Sequence, residues 1–119
     1  MTEPEVPAAT LLVAFTTAPS PEAARALVGA LVKRRLIACG TVVPGAWSIY
    51  RWRGAVEEQE EALVVLKTTG ERWPELAAAL PTLHPYEVPE LVAVPVVGGH
   101  PAYLRWVVEE TEARGTQEE

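Results

Sequence analysis

The stretch Trp47–Thr69, WSIYRWRGAVEEQEEALVVLKTT, constrains this chain more than any other. Both of its arms are rich in β-branched and aromatic residues, and the one strong breaker is Arg53-Gly54. A long β-hairpin with its tip at Arg53-Gly54 is the expected structure. Counted from Ile37 to Trp52 and from Ala55 to Thr69, each arm is about 15 residues, against a usual strand of about 5–6. At about 3.3 Å per residue that is roughly 50 Å. A compact chain of this length has a radius of gyration of only about 13–14 Å. The arms must therefore bend, and Pro44-Gly45 is the place for a bend or bulge. Otherwise the tip must project. A two-stranded ribbon alone is marginal in water, and this one carries Trp47, Ile49, Tyr50 and Trp52. Another copy of the chain is the economical cover for so much aromatic area. A ring of three suits a sheet with open edges, which makes a homotrimer the expected assembly.

The rest of the chain supports the hairpin. The apolar run Leu11–Thr17 reads as a buried strand. Ser20-Pro21-Glu22 is a helix start, with Ser as the cap and Pro in the first turn. Ala24, Leu27, Val28, Leu31 and Val32 follow at helical spacing. Ile37–Val43 returns as a strand. A second helix opens near Thr69-Gly70-Glu71, with Thr69 as its candidate cap, and buries Trp73, Leu76, Ala77, Leu80 and Leu83. His84-Pro85-Tyr86-Glu87-Val88-Pro89 is a stiff loop, because each proline restricts the residue before it. Glu90–Val97 is a fourth strand, in which Pro95 marks an edge or a strand end, and Ala102–Glu112 is a last short helix. The order predicts an α+β, ferredoxin-like β-α-β-β-α-β sandwich with a long β2–β3 hairpin and an extra C-terminal helix. A single domain spans 10–113, between disordered tails at 1–9 and 114–119.

Composition narrows the function classes. The net charge of -6 and the lack of a basic stripe exclude an ordinary nucleic-acid binder. No apolar run reaches the roughly 20 residues of a membrane span. Cys39 is the only cysteine, so no internal disulfide forms. With an acidic, Pro-containing N-terminus in place of a signal peptide, this points to a cytoplasmic protein.

Several residues could carry chemistry. His84 sits at a helix end on a Pro-stiffened loop, where it either contacts a metal or bonds a carbonyl at the helix C-terminus. Cys39 is either a small core residue or part of a cleft between subunits. Glu61 and Lys67 lie on one strand face by parity. A two-residue turn at the tip adds Tyr50 and Trp52 to that face. These groups are either an inter-subunit ion pair with aromatic packing or a site. The acidic series Glu57, Glu58, Glu60 and Glu61 splits between two faces and so forms no oxygen cage. No nucleophilic triad is suggested.

The motifs Thr17-Ala18-Pro19, Ala38-Cys39, Ser48-Ile49-Tyr50-x-Trp52-x-Gly54, Glu61, Lys67-Thr68, His84-Pro85-Tyr86-Glu87 with Pro89-Glu90, and Tyr103-x-x-Trp106 occur together in this order. As a set, from about Leu11 to Val108, they resemble the CutA divalent-cation tolerance family. The resemblance implies a ferredoxin-like subunit, a tight trimer similar in architecture to PII-type signalling proteins, and an association with copper and other divalent metals. An enzyme is not the expected reading. Some members place a Cys where this chain has Thr16 and a second His where it has Leu83. Losing both removes thiolate and imidazole ligands that a soft metal wants. The expected function is a regulatory or ion-tolerance protein that binds a divalent cation (copper) or a small ligand weakly in inter-subunit clefts. The expected cleft residues are Cys39, Trp52, Glu61, Lys67 and Tyr86, with His84 as the metal ligand. The competing expectations are a trimeric scaffold for partner proteins and an enzyme that uses Lys67 with Glu61. Light scattering at micromolar concentration should return the mass of three chains; a monomer would refute the arm-driven assembly.

Overall fold

The computed structural model describes residues 7–113. The expected tails therefore fall largely outside the described residues. Pro7–Ala9 are not loose, however. The Thr10 amide donates to Pro7 O, and Gly70 and Glu71 donate to Thr10 O and Ala8 O.

The elements are β1 (Leu11–Ala18), α1 (Pro21–Lys33), β2 (Cys39–Trp52), β3 (Ala55–Thr69), α2 (Trp73–Leu83), β4 (Val92–Pro95) and α3 (Pro101–Glu110). The four strands form one antiparallel sheet in the order β2-β3-β1-β4. This is the ferredoxin-like arrangement with the long hairpin and the added helix. Several boundaries differ from expectation. β3 runs to Thr69 as expected, paired with Leu11, so Thr69 does not cap α2, which begins at Trp73 after Arg72, a residue that makes no side-chain cap bond. β4 is confined to Val92–Pro95, with the Val96 amide still donating to Leu11 O just beyond it. α3 begins one residue earlier, with Pro101 in its first turn, and ends at Glu110. Ile37 and Ala38 precede β2.

Alternation sorts the sheet into two faces. Ala14, Ala18, Ala62, Val64 and Leu66 are buried with Leu27 and Leu31 of α1 and Leu76 and Leu80 of α2. Val32 and Leu83, expected on these helices' apolar faces, are exposed at the rim. The other sheet face carries the odd-numbered residues of β1 and β3, and α3 lies against it. Arg35 joins the layers. It follows α1 in the left-handed region (φ 59°), and its guanidinium donates to the backbone oxygens of Glu109 and Glu112. A cation at a helix C-terminus is favoured by the dipole.

The hairpin follows from two local features. Arg53 and Gly54 both have positive φ (50° and 84°), as a two-residue turn of type I′ requires. Farther down, Val43 pairs with Leu63 but Ala46 pairs with Glu61. Pro44 and Gly45 thus share a single partner, Ala62, in a β-bulge. Gly45 takes φ 78° there.

Gly40 marks the tightest packing. A Cβ at this position would lie 2.8 Å from Val28 Cγ1, on α1. Gly40→Ala should cost about 1–3 kcal/mol through overpacking. Gly29→Ala, where nothing lies within 4 Å, should raise stability by about 0.5–1 kcal/mol through helix propensity and chain entropy. Urea unfolding of the two variants checks the contrast.

Candidate functional site

The bulge decides which side chains meet. Beyond it, residues 46, 48, 50 and 52 of β2 stand opposite Glu61, Gln59, Glu57 and Ala55. Directly opposed residues share a sheet face. Tyr50 and Trp52 therefore lie on the face of Glu61, and so does Cys39, opposite Lys67 before the bulge. Trp47, Ile49 and Val56 point to the other side of the ribbon, each 65% exposed.

A cleft of about 660 Å³ lies between the hairpin and the α2–β4 loop. Tyr50, Trp52, Gln59, Glu61, Tyr86, Glu87 and Glu90 are among its walls, and among the described residues no Lys, Arg or His lines it. A hydrogen-bond chain organises its floor. The Tyr50 hydroxyl donates to Gln59 Oε1 at 3.0 Å. Gln59 Nε2 donates to the Tyr86 hydroxyl at 3.2 Å. That hydroxyl in turn donates to Glu61 Oε2. Burial, then the bond to Glu61 and the charge of its carboxylate, push Tyr86 well above the usual tyrosine range. Tyr86 stays a neutral donor as a result.

His84 fixes Tyr86 from behind. It is 7% exposed. Its Nδ1 accepts from the Tyr86 amide at 3.0 Å. The other nitrogen, Nε2, must then carry the proton, and it lies 2.7 Å from Thr17 O on β1. A neutral imidazole has one N–H and one lone pair, and both are engaged. A cation at His84 must displace one of these bonds. Among the described residues, no three His, Cys, Asp or Glu side chains are grouped to hold a metal ion. The described residues of one chain, then, do not fit a resident metal.

The expected cleft residues fall into two groups. Trp52, Glu61 and Tyr86 line the cleft. Cys39 and Lys67 do not; they meet α3 instead. Cys39 Sγ lies 3.5 Å from the Tyr103 hydroxyl, and Lys67 Nζ stands 5.9 Å from the centre of the Tyr103 ring. The bond to Cys39, then burial, push Tyr103 up to about 12. Glu61 and Lys67 are six residues apart on one strand, about 20 Å at the strand rise. A single chain does not assemble them into one pocket. Sequence reasoning missed Gln59, whose parity with Glu61 was the available signal, and the roles of Glu87, Glu90 and Tyr103, which sit inside the motifs.

These features are set on a fold shared with known proteins. The family model for CutA1, the divalent ion tolerance protein, matches residues 12–110. The chain belongs to this family. A CutA divalent-cation tolerance protein of Thermus thermophilus is 48% identical over 99 residues, covering 83% of this chain and 96% of the relative. The mouse protein CutA is 42% identical over 100 residues. There the match covers 84% of this chain but 56% of the relative, so the chain spans little over half of the mammalian protein. Among solved structures, the Cut A1 protein of Thermus thermophilus aligns with a TM-score of 0.83 at 47% identity, covering 86% of this chain and 99% of that one. This CutA-family chain also has, among its described residues, no helix long and apolar enough to cross a membrane.

The raised Tyr86 value has a consequence for stability. An unfolded tyrosine ionises near pH 10 while folded Tyr86 resists, so its contribution is complete below about pH 10 and is lost as pH rises beyond it. Between pH 9 and 12, the wild type should lose unfolding free energy more steeply than Tyr86→Phe, as chemical denaturation at each pH can measure.

Proposed function

We propose that this chain acts as a homotrimeric divalent-cation tolerance protein and not as an enzyme. On this reading it binds a divalent cation, copper among them, or a small ligand, weakly, in clefts that neighbouring subunits complete. The cleft beside Tyr86 supports the reading best. It is about 660 Å³, its walls carry Glu61, Glu87 and Glu90, and no positive side chain among the described residues lines it. Ligand sites commonly fall between about 300 and 1,000 Å³. Weak binding accords with the lack of a grouped ligand set among the described residues of one chain.

The trimer draws support from the hairpin. Trp47 and Val56 lie exposed on the face away from the cleft, beside Ile49, which also borders the cleft; this is too much apolar surface for a ribbon to leave in water. A scaffold without ligand chemistry explains this surface but gives no role to the cleft. An enzyme using Lys67 with Glu61 finds no support in the single chain, where the two stand apart.

In this scheme His84 acts by positioning Tyr86 or by exchanging a bond for the metal, and either role makes it sensitive to substitution. Calorimetric titration of the full chain with Cu²⁺ should give a weak, saturable heat that His84→Ala diminishes. A heat that never saturates, or one that is unchanged in His84→Ala, would remove the metal from the proposal.

A further inference from the structure

Glu61 poses an electrostatic problem that the chain leaves open. It is only 7% exposed, and it lines the cleft. One carboxylate oxygen takes the Tyr86 hydroxyl, but no Lys, Arg or His among the described residues forms an ion pair with it. A buried carboxylate is costly unless a positive group accompanies it. Glu87 and Glu90 add negative charge to the same walls. The cleft is thus complementary to a cation.

The lining also selects among cations. Tyr50, Trp52 and Tyr86 present aromatic surface to the cleft. Aromatic faces attract ammonium and guanidinium groups, and most strongly when the ring is Trp. Trp52 already draws such a group: the Arg53 guanidinium carbon lies 5.3 Å from its ring centre. A small, hard metal ion instead wants several oxygens converging on one point, and no such group of three exists among the described residues. The volume, about 660 Å³, suits a molecule far larger than a bare ion.

We propose that the cleft binds a small organic cation, its primary ammonium or guanidinium head on Glu61 and its body against the ring of Trp52. This rests on the reading of the same cleft as a ligand site, and it replaces the open choice between metal and small ligand with one class. The head would donate to the Glu61 oxygen that Tyr86 leaves free. Such charge-assisted bonds are among the stronger ones available to a protein.

Agmatine carries both head groups and serves as the probe, with neutral butylurea as its control at fixed ionic strength. Calorimetry on the full, assembled chain should show saturable binding of agmatine and none of butylurea. Glu61→Gln keeps an acceptor for Tyr86 and removes the charge; it should weaken agmatine at least tenfold. Trp52→Leu, near the solvent-exposed tip, should weaken it about threefold or more without touching the core. Equal binding of butylurea, or agmatine binding indifferent to both substitutions, overturns the organic-cation site. Saturable Cu²⁺ binding that Glu61→Gln abolishes, with no agmatine heat, overturns this inference and leaves the cleft as a ligand site. No saturable heat from any of the three probes overturns both.

Discussion

The two-against-one pairing of Pro44 and Gly45 with Ala62 is the constraint on which the rest of this structure depends. One extra residue in a strand would reverse the facing of every residue beyond it. In β2 the reversal puts Tyr50 and Trp52 on the side of Glu61 and sends Trp47 and Ile49 to the opposite side. Remove the bulge and Trp47 and Ile49 would face Glu61 in place of Tyr50 and Trp52. The same bend lets a 14-residue strand belong both to the body of the sheet and to a projecting ribbon. Gly45, at φ 78°, is what makes the local backbone inexpensive.

The hydrogen-bond chain then locks the ribbon to the body. Thr17 belongs to β1, His84 closes α2, Tyr86 sits in the loop and Glu61 lies on β3. Their bonds run from Thr17 O through the imidazole to the Tyr86 backbone, and from its hydroxyl to Glu61. Each link has a fixed donor and acceptor, so the imidazole tautomer is determined by its neighbours. The cleft is shaped by this chain of bonds more than by apolar packing. The hydrophobic core lies on the other side of the sheet, under α1 and α2.

Much of the fold could be read from the sequence, and the reasons are local. The Arg53-Gly54 tip, the Ser20 cap and the Pro44-Gly45 bulge are each set by the backbone preferences of a few residues. Strand parity placed Glu61 with Tyr50 and Trp52. The start of α2 was misplaced because Thr69 resembles a cap, while its actual place is set by pairing with Leu11, far away in sequence. The site was legible only in part for the same reason. His84 had two readings, metal contact or carbonyl bonding, and its bonds to Thr17 and Tyr86 depend on tertiary placement. Parity showed that Lys67 and Glu61 share a face; it did not weigh the length of strand between them. Tyr103 takes up Cys39 and Lys67 because α3 folds back across the sheet, and no local pattern announces that return.

The strand order has a consequence for how the chain comes to be folded. β1 is an interior strand made from the first residues of the domain, and its neighbours are β3, through pairs such as Leu11 with Thr69, and β4, through pairs such as Phe15 with Val92. During synthesis β1 must wait for both. The hairpin can close early, since its register is local, but it closes before the strand that anchors it has any partner. Contacts this distant in sequence slow folding, because loop entropy is lost before they form. An emerging or truncated chain that stops before β4 leaves one edge of β1 unsatisfied and open to pairing with other chains. The domain therefore matures late and as a unit, with the ribbon waiting on the ribosome's last third of the chain.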